Sequence, residues 1–173
     1  MKKIVKEKRG EHPWGDSGQL ILLVLFLLVW AVDSFFLHLS TFLSDQIPFY
    51  FRLGFLVVLL IIAVWLFRST HFVTDEGQRP NRVMKTGAFR YVRHPLYLAS
   101  LLVYFGLVVS TASVLSLAVF VGIFIFYNYI ASYEEKFLTV KFGNEYIKYR
   151  RKTGKWLPRI RFGRKKIVKE TSY

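Results

Sequence analysis

Residues 49–68 read FYFRLGFLVVLLIIAVWLFR. Arg52 and Arg68 stand near the two ends, and everything between them is apolar or glycine. At a helical rise of 1.5 Å per residue, about twenty residues cross a hydrocarbon core of roughly 30 Å. Lipid offers backbone amides no water, so a crossing segment must satisfy them internally, as a helix does. This stretch therefore predicts a transmembrane helix. A second such run precedes it at 18–38, GQLILLVLFLLVWAVDSFFLH. Two more apolar runs fill 95–131 and are separated only by the weak polar break Ser110-Thr111-Ala112-Ser113. The expectation for 95–131 is a helical hairpin with a tight turn and a short first arm.

The rest of the composition agrees. The chain is 53% hydrophobic and 18% aromatic, which soluble domains rarely reach. Its formal charge of +14 must then sit in the segments between the apolar runs. There are no cysteines, which excludes disulfides, thiolate metal sites and cysteine nucleophiles. His12, His38, His71 and His94 are too scattered for a metal-ligand pair at helical spacing, and no metal is expected. The first apolar run lasts about twenty residues with no small-residue cleavage site after it, so it reads as a retained span rather than a signal peptide.

The basic residues give an orientation. Four spans put residues 1–17, 68–94 and 132–173 on one side, and these hold 24 of the 25 Lys and Arg, leaving only Arg52 opposite. The positive-inside rule then places both termini and the central loop in the cytoplasm, whether the membrane is a prokaryotic inner membrane or an endoplasmic reticulum. The expected fold is an all-α integral membrane protein in a single membrane domain, 1–173. It comprises spans 18–38 and 49–68, a cytoplasmic loop 69–94, the hairpin 95–131, and a cytoplasmic helical segment with a basic tail, 132–173. The tail RIRFGRKKIVK suits anionic lipid headgroups in such a chain, and nucleic acid is not expected.

One stretch breaks the apolar pattern. RYVRHPLYLAS, residues 90–100, places Arg90, Arg93, His94 and Pro95 within six residues and returns at once to Leu96-Tyr97-Leu98. Pro95 fits the first turn of a helix, and His94 is driven to an extended conformation because it precedes proline. Arg93-His94-Pro95 thus marks a loop-to-helix junction at the membrane surface. Such a junction suits an anion, or it simply anchors the hairpin among headgroups.

The second break lies where the hairpin returns. Glu134 and Glu135 follow the last apolar run, and Asn128, Ser132 and Glu135 share one helical face. That polar stripe predicts Glu135 pointing into the bundle, with Glu134 on the face of Tyr127 and Leu138. An interfacial carboxylate held by neighbouring lysines is the plainer alternative. Because the hairpin is antiparallel, Arg93-His94-Pro95 and Glu134-Glu135 end up at the same surface. Cations, carboxylates and the rings of Tyr97, Tyr129 and Tyr133 would then share one site. A zwitterionic amino acid bearing a sulfonium suits that combination. Farther on, Gly143 ends the helix, and NEYIKYRRKT forms a short amphipathic helix that stops at Gly154. It is either a plain surface helix or a cover that brings Tyr146 or Arg150 to the site.

TGAFRYVRHPLYLAS followed by YEEKFLTVKFGNEYIKYRRKTGKWLP resembles the membrane methyltransferase family of isoprenylcysteine carboxyl methyltransferases and phospholipid N-methyltransferases. That family carries an Arg-His-Pro-x-Tyr-x-Gly motif and, after a span or hairpin, a Glu-Glu pair. Arg93, His94, Pro95, Tyr97, Glu134 and Glu135 match it, Ala99 stands where the family usually has Gly, and the likeness covers about residues 84–160. The resemblance implies S-adenosylmethionine as methyl donor and a lipophilic acceptor that arrives from the bilayer. Cofactor binding falls to His94, Pro95, Tyr97, Glu134, Glu135 and Tyr146, and catalysis to Glu135 and Arg93. Methylation of an isoprenylcysteine-type carboxylate is the expected activity, with phosphatidylethanolamine N-methylation the alternative. A sterol-type membrane reductase would need a nicotinamide cofactor, and no glycine-rich phosphate loop is visible. A non-enzymatic membrane scaffold would need none of these residues.

Overall fold

The computed structural model describes residues 15–74 and 83–159. The basic stretch before residue 15, the tail from residue 160, and Arg79 and Arg82 of the central loop lie outside the described residues. Within them the chain is all helical. Helix α1 spans Gly15–Val32 and continues as a π turn, Asp33–Leu37. Helix α2 spans Phe49–Thr74, α3 Pro95–Thr111, α4 Val114–Phe142 and α5 Asn144–Lys152. Short 3₁₀ turns at Phe42–Asp45 and Gly87–Arg90 precede α2 and α3 respectively. Ser17–Leu37, Phe49–Thr70 and Val114–Phe142 are long and apolar enough to cross a membrane, and Pro95–Thr111 is a shorter apolar helix. The protein is a membrane protein.

Helix α3 is the centre of the bundle. On one side α2 packs along it through small residues. A Cβ at Gly106 would lie 2.8 Å from Leu56 Cδ1, so a side chain there would need the leucine to change rotamer. Toward the site Ala63, Leu66, Ala88, Val92 and Ala99 form one buried cluster. Ala99 is buried in this seam together with Ala63. On the other side α1 and α4 meet α3 through Phe26, Leu101, Tyr104, Val108, Ile123 and Tyr127. The Phe26 ring meets Tyr104 edge to face at 4.8 Å, and Trp30 Nε1 donates to Leu107 O at 3.0 Å. The outward faces of α1 and α2 expose Leu20, Ile21, Phe36, Ile61 and Val64, as lipid-facing helices do.

One boundary differs from the sequence reading. The hairpin turn is tight as expected: Ala112 takes a left-handed conformation, and the Ser113 hydroxyl caps α4 by accepting from Ser116 N at 3.0 Å. The helix of the second arm runs on past 131 to Phe142, 29 residues in all, and Gly143 ends it as expected. At 1.5 Å per residue that is about 43 Å, longer than a bilayer core, so the polar end of α4 projects beyond the lipid. The helix stops only at Gly143, whose φ of 52° a side chain would oppose. Helix α2 is the exception: it runs past Arg68 to Thr74, into the stretch expected to be loop.

At the opposite end of the bundle a buried carboxylate ties three segments together. Asp33 is 1% exposed. It accepts from Ser40 N at 3.1 Å, Ser40 Oγ at 2.5 Å and Ser113 Oγ at 2.5 Å. The π turn places Asp33 there, and His38, in the left-handed region, turns the chain so that Ser40 comes back to it. This joins the end of α1 to the α3–α4 turn. Replacing Asp33 by Ala removes the shared acceptor of the Ser40 amide and of both hydroxyls at a buried position, and Asp33→Ala is expected to lower stability by about 2–4 kcal/mol in detergent. Thermal unfolding of the purified variant beside wild type checks this.

Candidate active site

The site lies where α3 begins and α4 leaves the bundle. Pro95 occupies the first turn of α3 and is buried, and His94 before it is non-helical, as its position requires. The antiparallel hairpin then brings residues 41 and 42 positions apart into contact.

Arg93 is the hub. Its Nε donates to Glu135 Oε1 at 2.9 Å, and both side chains are about nine-tenths buried. Its Nη1 donates to Thr153 O at 2.7 Å and Arg150 O at 3.2 Å. Its backbone N–H donates to Gly154 O at 2.9 Å, beside a parallel bridge between Val92 and Gly154. One residue thus holds the loop before α3, the end of α4 and the segment after α5. The Arg150 and Thr153 carbonyls lie at the C-terminal end of α5, where a cation is favoured.

His94 stands between the two carboxylates. Its Nε2 lies 3.2 Å from Glu135 Oε1 and its Nδ1 3.7 Å from Glu134 Oε2. Its ring stacks on Tyr97, centroids 5.7 Å apart and planes 3° from parallel. Tyr97 donates its hydroxyl to Glu134 Oε1 at 2.5 Å and meets Tyr127 edge to face at 5.4 Å. The two glutamates differ in access: the Glu135 side chain is 10% exposed and that of Glu134 24%. Glu135 points inward, as its helical phase predicts.

The C-terminal segment folds back over this cluster. Tyr146 and Tyr149 are buried with Val83 against Leu138 and Phe142, and Tyr149 donates to Phe89 O at 2.7 Å. Burial pushes both phenols well above their ordinary range, so they stay neutral. Residues 153–157 form a strap. Lys155 Nζ donates to Asn128 Oδ1 at 2.6 Å, Ser132 Oγ at 2.8 Å and Asn128 O at 3.0 Å. The Trp156 ring lies 6.0 Å from His94 and 5.8 Å from Phe124.

Of the residues singled out in the sequence, Arg93, His94, Pro95, Tyr97, Glu134 and Glu135 converge. Tyr146 is covered by its own small cluster, and Tyr129 is largely exposed on α4. The polar stripe on α4 exists, but Asn128 and Ser132 face the strap rather than the bundle. Tyr127, Lys155 and Trp156 were not anticipated as parts of the site. For Lys155 and Trp156 a signal was present in the stripe itself, since a polar face on an apolar helix requires a polar partner.

Residues 48–145 match the model of the phospholipid methyltransferase family. The chain belongs to that family. The match contains α2, α3 and both motifs, and it ends just before Tyr146. The chain is also 32% identical over 94 residues to the protein-S-isoprenylcysteine O-methyltransferase of Saccharomyces cerevisiae. That alignment covers 53% of this chain and 38% of the yeast protein, so the chain spans well under half the length of that relative. No solved structure matches.

The clamp can be broken in two ways. Arg93→Met leaves Glu135 buried without its counter-charge and should cost about 3–5 kcal/mol. Gly154→Ala keeps the ion pair but puts a Cβ 1.8 Å from Leu157 O, which the strap cannot accommodate. Both variants are expected to speed tryptic cleavage after Lys152 and Lys155, and only Arg93→Met should lower the melting temperature strongly. Timed proteolysis and thermal unfolding separate the two.

Proposed function

We propose that this chain is an S-adenosylmethionine-dependent membrane methyltransferase whose acceptor is lipophilic, with an isoprenylcysteine-type carboxylate the acceptor of choice. The observation that carries the reading is the convergence of Arg93-His94-Pro95-x-Tyr97 with Glu134-Glu135 at one end of an apolar bundle, in a chain of this family. The yeast relative's name supports the carboxylate acceptor. The family's description favours phospholipid N-methylation as the second reading.

The residues present fit the cofactor. Glu134 is the more open carboxylate and suits an ammonium or ribose hydroxyls, and the stacked His94–Tyr97 pair with Trp156 offers aromatic faces to a sulfonium. S-Adenosylmethionine supplies an electrophilic methyl group. Glu135 and Arg93, the expected catalytic pair, are committed to each other and to the strap. They fit the role of positioning residues that hold His94 and the cover in place. The protein's contribution to rate is then to orient the acceptor and keep water out. The basic residues flanking the spans support a cytoplasmic site with both termini on that side.

Titration of the detergent-purified chain with S-adenosylhomocysteine tests the reading. Saturable binding is expected, weakened at least about tenfold by His94→Ala and by Glu134→Gln, each of which removes a charged or hydrogen-bonding partner. Absence of binding to a folded wild type would overturn it. The acceptor is tested in lipid extracts: methylated phosphatidylethanolamine present only in expressing cells would select the second reading.

A further inference from the structure

The strap carries a cation that the site's carboxylates do not neutralise. Lys155 Nζ contacts three oxygens, all of them neutral: Asn128 O, Asn128 Oδ1 and Ser132 Oγ. Among the described residues no carboxylate lies within ion-pair distance of it. Glu135, on the same face of α4 as Asn128 and Ser132, is held by Arg93 and His94, and Glu134 accepts from Tyr97. The contact to Asn128 O is also replaceable, because that carbonyl already accepts the Ser132 hydroxyl at 2.8 Å. An incoming anionic oxygen therefore exchanges a neutral partner for a charged one. Partial burial depresses the Lys155 ammonium below the usual lysine range, and a bound anion would restore it.

Position says where the anion comes from. Asn128 and Ser132 precede Glu135 by seven and three residues, so Lys155 sits about 5–10 Å nearer the bilayer than Glu135. On the same side of α4 the next residues into the membrane are Phe124, Ile125 and Val121, which are 39%, 63% and 49% exposed. An apolar track thus leads into a polar stripe with a cation at the junction. Trp156, whose Nε1 lies 3.3 Å from Asn128 Oδ1, stands beside it and reaches His94. Tail on apolar residues and head on a cation is the arrangement that an anionic amphiphile requires.

We propose that Lys155 is the anion subsite for the methyl acceptor: its ammonium receives the carboxylate or phosphodiester head of an amphiphile whose tail lies on Val121, Phe124 and Ile125. The subsite rests on the methyltransferase reading; its apolar track lies within the part of the chain that matches the family, and Lys155 lies beyond it. Lys155 acts by binding the acceptor and takes no part in methyl transfer. Trp156 lies beside both Lys155 and His94, so a carboxylate received on Lys155 passes along the ring to the reacting centre, whereas a phosphodiester stays on the lysine while its amine reaches in.

The test uses the full chain in neutral detergent. Calorimetry compares N-acetyl-S-farnesylcysteine with its methyl ester, and a short-chain phosphatidylethanolamine with the matching diacylglycerol, for wild type, Lys155→Met and Lys155→Arg. S-Adenosylhomocysteine is titrated alongside. Wild type is expected to prefer the member that bears an anionic oxygen (carboxylate or phosphodiester) over the partner that lacks it, in one of the two pairs, by roughly tenfold to a hundredfold, the range for a hydrogen bond to a charged group. Lys155→Met abolishes that preference while S-adenosylhomocysteine affinity stays within about threefold, and Lys155→Arg keeps it. Whichever anionic ligand shows the preference identifies the head group as carboxylate or phosphodiester. An undiminished preference in Lys155→Met overturns the subsite and leaves the methyltransferase reading standing. Loss of S-adenosylhomocysteine binding together with the preference also overturns it, because Lys155 would then only pin the strap. Equal competition by phosphatidylglycerol makes the lysine a general lipid anchor and overturns it too. A folded wild type that binds no S-adenosylhomocysteine sinks both readings.

Discussion

A buried guanidinium at the edge of a membrane bundle has few stable arrangements, and Arg93 adopts one of them. Removing two charges from water costs several kcal/mol per ion unless geometry and further hydrogen bonds offset it. Here Glu135 supplies the counter-charge on Nε, and the carbonyls of Arg150 and Thr153 accept from Nη1. These partners come from α4 and from the end of α5, so the ion pair is met only when the hairpin closes and the strap returns. The local chemistry of one residue therefore specifies the relation of three segments. His94 inherits its position from this, because Arg93 and Pro95 fix the backbone on either side of it.

The bundle has a matching constraint at its other end. Asp33 gathers Ser40 and Ser113 and so joins α1 to the α3–α4 turn. Between these two polar knots the packing is apolar and tolerant: rings such as Phe26 and Tyr104, and a seam of Ala63, Ala99 and Gly106. In lipid, apolar packing alone discriminates weakly among helix registers, because the solvent is as apolar as the side chains. Polar contacts with few alternative partners set the register instead. A site that depends on ångström-scale placement of His94 between two glutamates benefits from being fixed at both ends of the helices that carry it.

The spans were legible because length and hydropathy are local properties, and the two motifs because an antiparallel hairpin returns its ends to one surface. The end of α4 was legible too, because two signals separate there: at residue 131 the sequence turns polar, which marks where lipid stops, and Gly143 marks where the helix stops, its backbone taking a positive φ. The extension of α2 past Arg68 to Thr74 was not, since nothing local marks that end. The phase of Glu135 was correct, since helical periodicity fixes direction. What faces Asn128 and Ser132 was not readable, because Lys155 lies 27 and 23 residues away with no periodic relation to them. The Asp33 knot was hidden for the same reason: its serine partners are 7 and 80 residues distant, and a lone aspartate at the end of an apolar run looks like an ordinary boundary.

The arrangement of acids bears on which acceptor the proposed enzyme takes. A carboxylate acceptor is already nucleophilic and needs no base, whereas a protonated amine must lose a proton before it attacks. Glu135 accepts from Arg93 and stands against His94, so taking a proton would break the ion pair on which the fold depends. Glu134 already accepts the Tyr97 hydroxyl and is the carboxylate best suited to the cofactor's own cation. Using it as a base would set the two tasks against each other. An acceptor that arrives anionic avoids the conflict, because the acids then serve only to hold the cofactor and the cover. On these grounds the geometry sits more easily with carboxylate methylation than with methylation of an amine.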